Sequence, residues 1–322
     1  MATILVDQST RAGHKSSADE IKQQLASGSF VWVDLVRPDQ SDVDTLVSGL
    51  GISQDTGTEL VRMHQRPRLV NVEKTLAFLV LYGMPGKGHT PAELHALISD
   101  HYVVTAHHGD IPGLDECQVA HRDHGVEDTP TAPLVVVHSI IQAMADGYFP
   151  RLAKFDNRID KLEEEIFDNP TDEQLQQLFA MKRELITLRK VVTPMRDMLG
   201  SIFTGVVQLP GFNSDASGWV RDAYDHMIHI SDLIDSYRDL LTGAMDVYLS
   251  TVSNRLNTVM KQLTVIATIF LPLSFLTGFF GQNFGFLVNR IGSAWTFWVF
   301  AIGVEAALVS GMLWVFKRRR WL

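Results

Sequence analysis

The sequence predicts an α+β protein: an α/β-sandwich domain, then long helices, then a two-helix transmembrane hairpin. Three observations carry this. Short β-branched apolar runs alternate with turn-forming stretches up to about residue 135. Charged, amphipathic helical patterns take over from residue 136. Two apolar stretches close the chain: residues 263–289 hold no charged side chain, and residues 291–316 hold only Glu305. Each exceeds the roughly 20 residues needed to cross a bilayer.

Within residues 1–135, the segments 30–35 (FVWVDL), 69–81, 94–98 and 102–106 read as strands. Residues 41–50 read as a helix capped by Ser41. The stretch 83–91 (GMPGKGHTP) reads as a hairpin loop. It is not a phosphate-binding P-loop, because Gly88 follows Gly86-Lys87 where Ser or Thr is required. Residues 136–210 read as an antiparallel helical hairpin. Its first arm contains 151–167 and stops at Asp168-Asn169-Pro170, and Thr171 with Gln174 gives the second arm a capping box. Pro194 is expected to kink or end that arm, and the Gly-, Ser- and Asn-rich stretch 205–218 reads as a loop. A long stalk helix then spans 211–281 and continues into the first membrane segment. Residues 282–293 read as an external loop, 294–316 as the second membrane helix and 317–322 as a basic cytosolic tail.

The formal net charge of −9 is unevenly spread. Residues 255–322 hold Arg255, Lys261, Arg290 and Lys317-Arg318-Arg319-Arg320 against Glu305 alone, which leaves residues 1–254 at −15. So acidic a body repels nucleic acid and attracts cations. Basic residues flank both outer ends of the membrane hairpin, and its connecting loop has only Arg290. By the positive-inside rule both termini and the large domain are cytoplasmic, in the cytoplasmic membrane. Trp295, Trp298, Trp314 and Trp321 are placed as interfacial anchors in the lipid bilayer. The single cysteine, Cys117, fits a reducing compartment and reads as a small buried residue. The first 13 residues contain no apolar run of signal-peptide length.

The stalk helix organises the rest. Stepping by threes and fours from Trp219, one face reads Asp222, Asp225, His229, Asp232, Ser236, Asp239, Gly243, Asp246. It continues through Ser250, Ser253, Asn257, Met260, Thr264, Ala267, Leu271, Ser274, Gly278 and Gly281. The neighbouring stripe is apolar, from Met227 and Ile230 to Val259 and Leu263. Such a helix would be roughly 90 Å long, and its seven-residue repeat implies helices supercoiling in a bundle. For residues 222–246 a stripe that merely faces solvent explains the pattern equally well. Beyond Leu263 a polar seam must face protein or a water-filled path. Two transmembrane helices cannot enclose a hole, so a water path requires several copies. Rings of Asp222, Asp225, Asp232, Asp239 and Asp246 would concentrate cations below the membrane. Asn257, Thr264 and Ser274 offer uncharged oxygens to a hard cation that keeps its water, as Mg²⁺ does. Met260, Leu263 and Leu271 would narrow the path with apolar rings.

The same residues carry a family resemblance. Segments 248–250 (YLS), 253–257 (SNRLN), 260–264 (MKQLT), 269–273 (IFLPL), 277–283 (TGFFGQN) and 317–322 (KRRRWL) closely resemble the CorA-type metal-ion transporters. Segments 31–35 (VWVDL), 66–69 (RPRL) and 102–107 (YVVTAH) resemble that family's cytosolic domain more weakly. The resemblance implies a funnel-shaped homopentamer with the long helix lining the pore and the second membrane helix outside it. It implies a selectivity filter at Gly281, Gln282 and Asn283, where Asn283 and the Gly281 carbonyl meet the hydration shell of the ion. Met260 and Leu263 match a hydrophobic gate, Asp246 and Asn257 polar pore positions, and Asp222, with Asp225, a regulatory metal site between protomers. Gln282 departs from the family's methionine, and the loop after Asn283 lacks its usual acidic sequence. The expected activity is passive transport of Mg²⁺, with Co²⁺ or Ni²⁺ as further ions, gated by intracellular divalent cation. The alternatives are a ZntB-like, proton-linked Zn²⁺ transporter and a membrane-anchored metal sensor.

Two further groups stand out. Glu305 lies in the middle of the second membrane segment, either exchanging a proton or packed as a hydrogen-bonded carboxyl. His107-His108, His121 with His124, and His226 with His229 near Asp222 and Asp225 suit Zn²⁺ or Ni²⁺, or are surface histidines without function. No H-E-x-x-H, G-x-G-x-x-G, Walker A or G-x-S-x-G pattern points to an enzyme.

Overall fold

The computed structural model describes residues 3–5, 17–73, 75–124, 132–210, 217–282, 285, 289, 293–319 and 321. The chain divides into two units: Met1–Glu165 with Thr171–Met245, and Ile166–Pro170 with Asp246–Leu322.

In the first unit, side chains that compete for backbone amides set the helix starts. Helix α1 (Ala18–Ala26) opens on a reciprocal cap between Ser17 and Glu20. Helix α2 (Gln40–Leu50) is capped by Asp39 and not by Ser41. The Asp39 carboxylate accepts from the Ser41 and Asp42 amides at 2.9 and 3.1 Å, and Asp42 returns a bond to the Asp39 amide at 2.8 Å. A carboxylate reaching two amides holds the turn one residue earlier, and Ser41 falls inside the helix. Helix α3 (Gln54–Val61) starts at Ser53.

Six strands form one mixed sheet: β1 (Thr3–Leu5), β2 (Val31–Val36), β3 (Arg68–Glu73), β4 (Leu76–Gly83), β5 (Ala92–Ser99) and β6 (Tyr102–His107). Their order is β1-β2-β6-β5-β4-β3. The pairs β1–β2 and β2–β6 are parallel, and the remaining pairs are antiparallel. The segment 69–81, expected as one strand, is two. Glu73 pairs with Leu76, which leaves the polar β3 at the sheet edge and the apolar β4 inside. Residues 84–91 connect β4 to β5 as the expected hairpin loop.

Strands β4, β5 and β6 are buried almost throughout because helices cover both faces. On one face Ile21, Leu46 and Leu60 pack on Val31, Leu97 and Val104. On the other lie α4 (Pro112–His124) and α5 (Ala132–Asp146). These two approach so closely that a Cβ on Gly113 would stand 2.7 Å from the Ala143 carbonyl. A buried polar chain ties β2 to β6. Trp32 Nε1 donates to Thr105 Oγ1 at 3.0 Å, Thr105 donates to Asp34, and His107 Nε2 lies 3.4 Å from Asp34.

Helices α6 (Phe149–Asp168), α7 (Asp172–Phe203) and α8 (Ser217–Phe280) follow. The capping box of Thr171 and Gln174 opens α7 as the sequence indicates. Pro194 does not end that helix, which runs nine residues further. It forgoes one backbone bond, but Val192 and Met195 on either side are fully buried and hold the segment in place. Met227, Ile230, Ile234 and Leu241 of α8 are buried within the first unit, where Tyr237 stacks on Phe155 of α6.

The second unit contains residues 246–280 of α8 and helix α9 (Ala294–Arg318). In α9 a π-helical stretch, Phe297–Gly303, precedes the α-helical Val304–Arg318. Both helices are long and apolar enough to cross a membrane. Arg255 of α8 donates to the side chain of Asn169.

Candidate functional site

The 3.6-residue turn places each candidate side chain of α8 on one of two faces. Asp222, Asp225, His229, Asp232, Ser236, Asp239, Gly243 and Asp246 are all exposed, while the adjacent apolar stripe is buried. Ion pairs do not consume this acidic face. Asp225 has Arg221 at 3.8 Å, and the better-paired Asp235, with Arg189 at 3.1 Å and Arg238 at 3.2 Å, lies off it.

Asp222 adjoins His138 of α5. Burial pushes the His138 imidazole below its usual value, the Asp222 charge opposes this, and the nearby His226 adds to it. Trp219 stacks on His138, and Phe149 contacts both His226 and His229. Among the described residues no three His, Cys, Asp or Glu side chains converge as metal ligands. A single chain therefore does not assemble Asp222, Asp225, His226 and His229 into a cage. His107 is held by Asp34 and the Gly109 carbonyl, and His121 stands edge-on to Trp32. The side chain of His124 lies outside the described residues. Burial pushes the Cys117 thiol up to about 12, so it is an inert packing residue.

In the second unit Asn257, Met260, Leu263, Thr264, Leu271 and Ser274 are all exposed. Met260 and Leu263 keep 65% of their surface and Leu271 keeps 73%. The Thr264 hydroxyl donates to the Met260 carbonyl at 2.8 Å, which spends its proton and leaves its oxygen free to accept. The helix closes just past Phe280, where the Gly281 amide donates to the Thr277 carbonyl at 2.9 Å and the Gln282 amide to Phe279 at 3.3 Å. A Cβ at Gly281 would stand 3.1 Å from that Thr277 carbonyl, tighter than most side chains accept. Gln282 is exposed, and Asn283, Arg290 and Arg320 lie outside the described residues.

The partner of Glu305 escaped sequence reasoning. Thr277 Oγ1 lies 3.0 Å from Glu305 Oε1 of α9. The two are 28 residues apart, so no local pattern could have paired them. The intramembrane acid alone was visible. At the far end of α9, Arg318 sits over the Trp314 ring at 5.4 Å and Trp321 stacks on Phe316.

An α/β sandwich, long packed helices and two membrane-length helices, the first with a polar seam, are the features that known proteins share with this chain. Residues 27–318 match the family described as CorA-like Mg2+ transporter protein, and the chain belongs to that family. It is 40% identical over 187 residues to the cobalt/magnesium transport protein CorA of Thermotoga maritima, an alignment covering 58% of this chain and 52% of that protein. It is 25% identical over 295 residues to the zinc transport protein ZntB of Pectobacterium atrosepticum, covering 90% of this chain and 88% of that one. The complete structure of the CorA magnesium transporter from Methanocaldococcus jannaschii shares the fold. There the TM-score is 0.79 at 20% identity, over 90% of this chain and 91% of that chain. The family is one of divalent metal-ion transporters, not of enzymes.

Proposed function

We propose that this chain conducts Mg²⁺ passively across the cytoplasmic membrane, through an oligomeric pore lined by α8 and closed by intracellular divalent cation. One observation carries the reading: from Asp222 to Gly281 the polar seam stays exposed on a single chain, while the stripe beside it is buried as far as Tyr248. Such a seam is completed by copies of itself, five in the family's assembly. Asp222, Asp225, Asp232, Asp239 and Asp246 gather cations at the inner end. Asn257, Thr264 and Ser274 present neutral oxygens, which hold a hydrated ion without trapping it. Met260, Leu263 and Leu271 form the apolar constriction. Gly281, Gln282 and Asn283 form the mouth, where Asn283 and the Gly281 carbonyl touch the ion's water shell. The basic flanks at Arg255, Lys261 and 317–320 orient both termini inward. An inside-negative potential then contributes about 2.3 kcal/mol per charge per 100 mV to inward flow, and twice that for a divalent ion. Carboxylates of Asp222 and Asp225 on adjacent copies, bridged by Mg²⁺, provide the feedback.

Gln282 departs from the family's methionine and so leaves room for another ion, and the similarity to a zinc transport protein supports a second reading: Zn²⁺ transport, with proton linkage as its mechanism. Uptake into proteoliposomes separates the two. The expected result is Mg²⁺ flux that needs no inward proton gradient, with Co²⁺ and Ni²⁺ as lesser substrates, and its loss in Asn283→Ala. Zn²⁺ flux driven by the gradient would establish the second reading. Metal binding without flux of any ion would leave a membrane-anchored sensor.

A further inference from the structure

We propose that Glu305 is a positioning residue for the pore mouth, acting from α9 through Thr277. A carboxyl inside a membrane-spanning helix is costly unless a partner satisfies it. Among the described residues its hydrogen-bond partner is the Thr277 hydroxyl at 3.0 Å. Thr277 is bonded on two further sides. Its hydroxyl lies 2.8 Å from the Leu273 carbonyl, and its own carbonyl accepts from the Gly281 amide at 2.9 Å. Thr277 thus links the second membrane helix to the residue that opens the mouth, its hydroxyl facing Glu305 and its carbonyl holding the Gly281 amide.

The backbone of α9 is shaped for this contact. The π-helical stretch Phe297–Gly303 ends one residue before the turn that carries Glu305. Each wide turn of that kind holds one residue more than an α-turn, and an α-helix advances about 100° per residue. The stretch therefore sets the rotational phase that turns Glu305 toward Thr277. Past Lys261 neither α8 nor α9 carries another acidic residue, so their apolar stretches offer Glu305 no competing carboxylate. The Thr277 hydroxyl has one proton and two acceptors within reach, Leu273 O and Glu305 Oε1. A group that can itself donate to Thr277 Oγ1 would satisfy all three atoms. Glutamine supplies such a group, and leucine does not.

This inference rests on the pore reading above, and its test separates the two. In the full-length protein in detergent, amide hydrogen exchange over residues 273–282 reads the clamp without any need for transport. Glu305→Leu and Thr277→Val are expected to raise exchange there about three- to tenfold, the scale of one hydrogen bond lost within a membrane helix pair. The double variant should be no worse than either single one. Glu305→Gln and Thr277→Ser should restore protection. In proteoliposomes the same pattern should appear in discrimination: the Mg²⁺ to Ni²⁺ rate ratio falls in the Leu and Val variants and is kept in the Gln and Ser variants. If Glu305→Gln matches Glu305→Leu in both assays, the carboxylate charge is what matters and the clamp is refuted. Unchanged exchange in Thr277→Val also refutes it. A wild type that carries no metal would overturn the pore reading, and the exchange pattern would still decide the clamp.

Discussion

Leu97 of the sandwich and Leu271 of the membrane unit are the same side chain at opposite extremes, 0% and 73% exposed in a single chain. Leu97 sits on a strand that helices cover from both sides, so one chain completes its surroundings. Leu271 sits on the membrane stretch of α8, and the described residues of the same chain leave most of its surface open. Apolar sequence therefore carries different information in the two units. In the first it specifies contacts within the chain. In the second it specifies what the chain must find outside itself, which is lipid on one face and, in the pore reading, copies of the same seam on the other.

The largest effect that could break this contrast comes from one substitution made twice. Leu97→Ala should cost about 2–5 kcal/mol in denaturant unfolding of the detergent-solubilised chain, because it opens a cavity in a closed core. Leu271→Ala should change that unfolding by less than about 0.5 kcal/mol, as at other uncovered sites, yet raise Mg²⁺ flux several-fold by widening the constriction. Comparable destabilisation by both would erase the distinction. An intermediate effect is expected for Asp222→Ala. In the pore reading it removes one ligand of the Mg²⁺ bridge, so several-fold more Mg²⁺ should be needed to protect the protein from a protease. An unchanged midpoint would take Asp222 out of the regulatory site.

The smallest effect lies wholly within the first unit. Burial lowers the affinity of His107 for a proton, but the bond to Asp34 and its charge, the Gly109 carbonyl and the Asp115 charge together outweigh this, and the net shift is upward. A group bound more tightly to its proton when folded stabilises the fold fully below its unfolded value of about 6.5. That contribution is lost as pH rises through the folded value. Unfolding between pH 6 and pH 8.5 should show this decline in the wild type and a flatter profile in His107→Gln. A parallel profile in the variant would mean that the Asp34–His107 contact contributes nothing.

Local chemistry made much of the fold legible. Thr171 and Gln174 mark a helix start by themselves, and 83–91 marks a hairpin by its glycines and prolines. The two faces of α8 follow from periodicity alone. Helix α1 could have been read as well, since Ser17 and Glu20 spell the same capping signature in a short, weakly apolar segment. Asp39 outcompeted Ser41 because a carboxylate can serve two amides, which composition ranks only weakly. Pro194 does not end its helix because its cost is local and the burial that offsets it comes from distant chain. At the candidate site, the seam and the end of the long helix near Gly281 were visible in one dimension. The bond between Thr277 and Glu305 was not, since only the return of α9 beside α8 brings the two together.

In the pore reading, donation of the Thr264 proton to its own helix has a consequence for the sign of the ion. Water around a cation turns its oxygens inward and shows hydrogens to the surroundings. Water around an anion does the reverse. A ring of Thr264 oxygens with their own protons already committed can accept from the first shell and has nothing to donate to the second. Such a wall would distinguish cations from anions by the orientation of their water, with no charge placed in the membrane.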